Sequence, residues 1–390
     1  MTATSPPVYE VAVVGGGPAG LTTALYTTRL GHRTALFERE GGRHAAVDHV
    51  HNLLGVSEAV SGQELADHGI DQLEAYGGDV HLDSVEHVER IAATADGPRG
   101  GDRGEGRGGT AVGDAAGGRD GRSFRLEATH ATVHADCVVL ATGFSDRGPD
   151  VAHLERYTGR GLYYCLHCDA YDLGDGSVYV LGHDDRAAHV AMLMLHFTDD
   201  VDLLLDDRGP DWSEETAAQL RAHPVERVDT EVVSAYPDHA DDSRLGGLAF
   251  GDGTERDYLG GFAMYGSEYN ATLAEDLGCE LADDGAVAVD EDRRTSVDGV
   301  YAVGDLTHGQ NQTPIAMGDG AYAGLAIHEA LRSFPKSLDD LGEDEASETA
   351  AGSTPGALDV PGADPAMRAR MRRVRDRETL PGLRTPDPNR

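Results

Sequence analysis

The chain has 390 residues, enough for two domains or more and a sizeable core. Its 69 acidic and 32 basic residues leave a formal charge of -37, which repels phosphate-rich partners and so excludes nucleic acid and anionic membranes. Lys336 is the only lysine, and that depletion beside the acid excess reads as adaptation to concentrated salt, where the Debye length is ~3 Å at 1 M.

No apolar run approaches the ~20 residues needed to span a bilayer. The opening MTATSPPVYE has neither a basic n-region nor an apolar h-region, so no signal peptide is expected and the location reads as cytoplasmic. Four cysteines are too few for a secreted disulfide framework. In a reducing compartment a close pair of them points to catalysis or metal binding.

In chain order, YEVAVV (9–14) predicts a buried parallel strand running into glycines. PAGLTTALYTTRLG predicts a helix closed by Gly31, and TALFERE a second strand at about 34–37. Residues 95–123 contain 11 glycines in 29 positions, a composition that reads as a disordered surface insert. HADCVVLATGF then gives an apolar strand entering Ala141-Thr142-Gly143. A second βαβ unit begins at SVYVLG (177–182), with a helix at about 186–197 and the strand VDLLL (201–205). GGFAMYG (260–266) is a further apolar strand. GVYAVGD (299–305) precedes a helix at about 314–331, where Pro314 suits the first turn. From about 334 the chain turns acidic, then Pro/Gly-rich, then basic, with six arginines in the ten residues 368–377. Met367, Met371 and Val374 stand at i, i+4 and i+7, so a short amphipathic helix docking on an acidic surface is expected there.

VVGGGPAG fits G-x-G-x-x-G at Gly15, Gly17 and Gly20, after a strand and opening a helix. Gly15 makes the tight turn, Gly17 admits a pyrophosphate close to the backbone, and Gly20 lets helix and strand approach. The helix N-terminus offers free N–H groups to the phosphates. Glu38, 18 residues after Gly20, stands where an acid binds a ribose hydroxyl. The fingerprint alone leaves FAD and NAD open. At the far end, Gly304 and Asp305 in TSVDGVYAVGD (295–305) precede a helix N-terminus. A carboxylate there suits ribityl hydroxyls, and the helix dipole suits negative charge on a reduced flavin.

VVGGGPAG, HNLLGVSEAVSGQEL (51–65), ATGF (141–144), CLHCD (165–169) and TSVDGVYAVGDLT (295–307) together resemble the low-molecular-weight thioredoxin reductases, in the order of that family. The resemblance covers roughly residues 8–332; with the acid excess and lysine depletion, a haloarchaeal-type member is expected. The resemblance implies an α/β protein of two Rossmann-like three-layer domains, the FAD domain discontinuous, and a homodimer. The implied division is 1–155 and 259–333 for FAD, 156–258 for an NAD(P)-like domain carrying the cysteines, and 334–390 as tail. The same resemblance adds Asn52, Ala141, Gly143 and Gln312 to the flavin-binding residues.

Cys165 and Cys168 form C-x-x-C. A zinc clip needs four ligands, and only one such pair exists; Cys137 and Cys279 lie in apolar runs and read as small core residues. No metal is therefore expected, and the pair reads as a redox disulfide. Only a thiolate attacks, so one thiol pKa must be lowered. His167 between the cysteines reads as an exposed residue. By resemblance, Asp169 shuttles a proton, Cys168 faces the flavin and Cys165 attacks the partner disulfide; the residues themselves do not fix which cysteine does which. The expected partner is a thioredoxin-like protein or small disulfide.

The second nucleotide turn departs from the family. LGHDDRAAH places Gly182, Asp184 and Ala187 at its three positions, so the middle glycine is an aspartate. A side chain there blocks the backbone, and its charge repels a pyrophosphate. Asp206-Asp207-Arg208 replaces the expected basic cluster for a 2′-phosphate, although Asp206, 19 residues after Ala187, suits the ribose of NADH. NADPH and NADH are thus doubtful donors. The alternatives are a ferredoxin-driven enzyme, an oxygen-dependent dithiol oxidoreductase, or a non-catalytic flavin redox sensor.

Overall fold

The computed structural model describes residues 6–39, 41–91, 123–332, 334–335 and 365–376. Apart from Ser123, the expected insert at 95–123 lies outside them, as does most of the 334–390 tail.

The chain begins with β1 (Val8–Val14), α1 (Pro18–Arg29), β2 (Thr34–Glu38), α2 (Gly42–Ala45), α3 (Gly62–Tyr76), β3 (Asp79–Leu82) and β4 (Val85–Ile91). Next come β5 (Ser123–Ala128), β6 (Thr132–Leu140), β7 (Phe144–Asp146), β8 (Leu162–Tyr163) and α4 (Leu166–Asp169). A βαβ run follows: β9 (Val178–Leu181), α5 (Asp185–Met194), β10 (Val201–Leu204), α6 (Glu214–Ala222) and β11 (Glu226–Val228). Then β12 (Val232–Pro237), β13 (Leu245–Phe250), β14 (Glu255–Asp257), β15 (Gly260–Ala263) and β16 (Ser267–Tyr269). The last elements are α7 (Thr272–Asp276), β17 (Val300–Ala302), α8 (Thr313–Leu331) and α9 (Pro365–Arg375).

These elements form two compact units. Among the described residues the first comprises 6–42, 66–143 and 270–376, and the second 43–65 and 144–269. The boundaries expected at 155/156 and 258/259 therefore fall at 143/144 and 269/270, and residues 43–65 group with the second unit. The reason lies in strand pairing. β15, expected to open the returning part of the first domain, sits between β9 and β8, with Phe262 opposite both Val180 and Tyr163. β7 and β16 pair antiparallel within the same unit.

In the first unit the sheet order is β3-β2-β1-β6-β5-β4, with β17 also on β6. β1 is central and parallel to β2 and β6, as an almost wholly apolar strand buried on both faces should be. β6 is long enough to change partners. Thr132–Ala135 pair antiparallel with β5, whereas Val138–Leu140 pair parallel with β17. The β4–β5 hairpin closes with Ile91 opposite Ser123.

Alternate β1 residues Val11 and Val13 join Leu36, Val139, Ala24, Ala323 and Ile327 in one core. Burying each large apolar side chain contributes roughly 1.5–3 kcal/mol. α1 and α8 meet closely because small residues line the seam: a Cβ on Gly320 would stand 2.2 Å from the Ala19 carbonyl oxygen.

α9 packs on this unit through Met367 at Gly31 and Arg370 at Gly77, two positive-φ glycines that follow α1 and α3. The expected apolar stripe is corrected here. Met371 is 46% exposed, and the stem of Arg370 takes the packed position instead.

The second unit has a five-stranded parallel sheet, β11-β10-β9-β15-β8. Its strands alternate cleanly. Val178, Val180 and Phe262 pack against Ala187, Ala188, Ala191 and Met194, of which the four belong to α5. Tyr179 and Leu181 face the other way, onto Val232 and Leu248 of the antiparallel β12–β13–β14 meander.

Candidate active site and cofactor cradle

The turn after β1 is shaped by close backbone approaches. Gly15 has φ +108°, and a Cβ there would lie 2.3 Å from the Ala141 carbonyl oxygen; one on Gly20 would lie 1.9 Å from the Gly15 carbonyl oxygen. Packing alone therefore demands both glycines. Gly17 is different, because a Cβ on it would meet no atom within 4 Å. It occupies the N-cap of α1, and no side chain caps that helix. Bare backbone, uncapped N–H groups and open space together fit a pyrophosphate.

Glu38 supports the turn from beside it. Its carboxylate accepts the N–H groups of Gly16, of Arg39 at 2.8 Å and of Gly41 at 2.7 Å. Gly304 (φ +66°) reaches the start of α1, with its Cβ position 2.7 Å from the Ala19 Cβ. Gly143 (φ +62°) lies beside Asp305, the two Cβ positions 3.9 Å apart. The first unit thus gathers Gly15, Gly17, Gly20, Glu38, Ala141, Gly143, Gly304 and Asp305 at one end of its sheet. Gln312 is the N-cap residue of α8, and its side-chain amide donates to the Asn311 carbonyl at 3.0 Å. Asn52 belongs to the second unit, in the turns between α2 and α3. This donor set fits a flavin dinucleotide: uncapped N–H groups for phosphates, and carboxylates for hydroxyls.

In the second unit Cys165 and Cys168 are joined in a disulfide, with Cα atoms 5.3 Å apart. Cys165 occupies the N-cap of the single-turn α4, so the C-x-x-C spacing brings its ends together. His167 is exposed, as expected. Asp169 is partly buried, and burial raises its carboxyl from the ordinary 3.8 to about 7; nearby Asp172 adds to the rise and Arg43 opposes it. Arg43 is held by Asp146, Nε to Oδ2 2.5 Å. Burial first, and then Asp169, pushes the Tyr163 phenol up to about 12. Tyr163, Asp172 and Arg43 escaped the sequence reading. Asp172 alone left a trace, standing one helical turn after Asp169.

The turn after β9 is closed by its own side chain. Asp184 occupies the N-cap of α5, and its Oδ1 accepts the Ala187 N–H at 2.9 Å. Asp185 takes the N–H and hydroxyl of Ser213, each at 3.0 Å. Asp206 (φ +55°) accepts the Val232 N–H at 2.9 Å, and Arg208 lies over the Tyr265 ring at 5.3 Å. α1 thus leaves its first turn without a side-chain cap, whereas α5 caps its own.

Among known proteins, the pyridine nucleotide-disulphide oxidoreductase family matches residues 9–320. A thioredoxin reductase of Mycolicibacterium smegmatis is 29% identical over 331 residues, covering 83% of this chain and 96% of that protein. One from Listeria monocytogenes is 26% identical over 342 residues, covering 85% and 97%. The crystal structure of the thioredoxin reductase from Streptococcus pyogenes superposes with a TM-score of 0.71 at 25% identity, over 85% of this chain and all of that one. The cradle, the disulfide and these likenesses agree: the chain belongs to the pyridine nucleotide-disulphide oxidoreductase family, as a thioredoxin-reductase-like FAD disulfide oxidoreductase.

Proposed function

We propose that this protein reduces a thioredoxin-like protein through Cys165–Cys168, with electrons taken from FAD held at the α1 cradle. The carrying observation is the disulfide followed at once by an aspartate whose carboxyl is raised to about 7. When bound, the flavin supplies a two-electron couple. The chain's own residues do the rest. Gly15, Gly17 and Gly20 admit the pyrophosphate. Glu38 and Asp305 offer carboxylates to hydroxyls, and Ala141, Gly143 and Gln312 are assigned to the flavin by sequence resemblance. Asn52 is assigned the same ligand by sequence resemblance. Asp169 holds a proton near neutral pH and delivers it to a cysteine sulfur when the S–S bond opens. By the same resemblance, Cys168 receives the electrons and Cys165 attacks the partner.

Asp184 favours a second element of the reading, a donor other than NADPH or NADH. Its carboxylate already takes the Ala187 N–H at the α5 N-terminus, which a pyrophosphate needs, and would repel one. A ferredoxin-class donor fits this turn better than a dinucleotide. We further assign the protein to a salt-adapted cytoplasm and to a homodimer, on composition and likeness respectively; among the described residues no helix is long and apolar enough to cross a membrane.

The test is an anaerobic titration in high salt, following flavin absorbance with NADPH, NADH, reduced ferredoxin and dithiothreitol in turn. Bleaching by ferredoxin and dithiol, with neither nicotinamide effective, is the expected result. Stoichiometric bleaching by NADPH or NADH overturns the donor assignment. Bleaching by dithiol without turnover on any disulfide marks a redox sensor instead, and oxidation of added dithiols by oxygen an oxidase.

A further inference from the structure

Beside the disulfide, the second unit carries a line of acids and histidines that the reductase reading leaves unused. Asp172 stands one turn after Asp169, and its N–H donates to the Asp169 carbonyl at 3.2 Å. Residues three apart share one face of such a turn. His51 Nε2 lies 3.4 Å from Asp172 Oδ2. The His49 ring follows at 5.7 Å from that of His51, and its Nε2 lies 3.7 Å from Asp48 Oδ2. The line starts at a partly buried acid and reaches water. Asp169 is partly buried, His51 is 27% exposed, and Asp172 and His49 are nearer half.

Such pairs do little for stability. An exposed ion pair contributes ~0–1 kcal/mol, and less in salt. Their position beside Asp169 suits another task, because reducing a disulfide consumes protons. Opening the Cys165–Cys168 bond takes two electrons and two protons; the reduced flavin would bring both electrons and one proton. The other proton comes from the Asp169 carboxyl, which must then be reloaded although partly buried. Of the charged groups facing it, Arg43 never releases its proton under working conditions. Tyr163, whose phenol is pushed up to about 12, releases one only in strong base. The remaining neighbour is Asp172, with a histidine behind it. Histidine ordinarily titrates near neutrality and shuttles protons.

Building on the disulfide-reductase reading, we propose that His51 and Asp172 supply the proton of the disulfide. The His51 imidazolium passes its proton by way of the Asp172 carboxylate to Asp169, and the imidazole regains one from water. His51 and Asp172 act through Asp169 and are positioning residues.

The experiment uses the whole FAD-loaded protein and dithiothreitol as probe, which runs the same steps in reverse and sends protons outward along the same groups. Flavin bleaching is followed by stopped flow from pH 6 to 9. His51→Gln should slow bleaching roughly tenfold near pH 6–7, a modest part of the 10²–10⁴ that a direct proton donor contributes. The gap should narrow toward pH 9, where hydroxide accepts protons, and added imidazole should restore the rate. Asp172→Asn should show the same deficit, with the double variant no slower than either single one. In the reduced protein, Asp172→Asn should also move the midpoint of iodoacetamide alkylation to lower pH, because a negative charge near the thiols is gone. Wild-type rates in His51→Gln at every pH overturn the proposal. So does a pH-independent loss that imidazole does not restore, which marks a structural role. If wild-type protein itself fails to bleach and thiol counting finds the disulfide intact, the reductase reading falls with it.

Discussion

Asp169→Asn separates what the aspartate does for chemistry from what it costs the fold. Its carboxyl rises from 3.8 unfolded to about 7 folded, chiefly through burial. Between those values the folded state keeps a proton that the unfolded state has lost. Stability therefore falls as pH rises through this window and is level above it. Over the whole window the loss is about 4 kcal/mol, at 1.36 kcal/mol for each unit. Between pH 5 and 8 it is about 3 kcal/mol. Asparagine is neutral and of the same shape, so the variant lacks this slope. Urea unfolding of the oxidised protein in high salt should show Asp169→Asn gaining about 3 kcal/mol on wild type between pH 5 and pH 8. The same variant should reduce disulfides roughly 10²-fold more slowly or worse, since the proton donor is gone. A stability difference that does not change between the two pH values would refute the reasoning: Asp169 would then titrate as an ordinary surface acid.

Cys168→Ser should abolish turnover while the purified protein stays yellow, and full activity in it would end the redox-disulfide mechanism. Gly17→Ala places its methyl in open space, so the fold should survive while FAD affinity falls at least about tenfold, or 1.4 kcal/mol, by equilibrium dialysis. Gly20→Ala drives a methyl into the Gly15 carbonyl and should cost about 3 kcal/mol or more in unfolding experiments, with flavin lost as a consequence. Asp184→Gly removes the α5 side-chain cap at a cost of only about a few tenths of a kcal/mol and should let NADH bleach the flavin measurably; no gain of nicotinamide response would show that Asp184 is not what excludes it.

Much of this was legible because glycine and cysteine are constrained by geometry. Gly15 and Gly20 are read from a motif, and the same backbone contacts that the motif encodes are present. The Cys165–Cys168 pair needs only a single helical turn to close. Strand membership was harder. GGFA and GVYA are both short apolar runs, and nothing in their composition says that the first pairs with β9 and the second with β6. The domain boundary therefore slipped by about one strand. Residues 51–65 were hard to place for a related reason, since nothing in their sequence has a periodicity that ties them to either unit. On α9, period counting put Met371 inside, whereas an arginine stem packs as well as a methionine and keeps its charge in water. Asp184 was visible as a departure from the motif. Its capping role depends on the position of the Ala187 N–H, which only coordinates supply.

The pairing of Ile91 with Ser123 has a practical consequence. It pins both ends of residues 92–122 to adjacent positions on neighbouring strands, ~5 Å apart. Whatever is joined between them enters and leaves the sheet through one door. Each doubling of a connecting loop adds only about 0.6 kcal/mol, so the lengthening from an ordinary hairpin turn costs about 2 kcal/mol. This makes the hairpin tip a natural grafting port. It should accept a short turn in place of the native stretch, or a fluorescent reporter or affinity domain, while the flavin cradle at the ends of β1 and β6 folds as before.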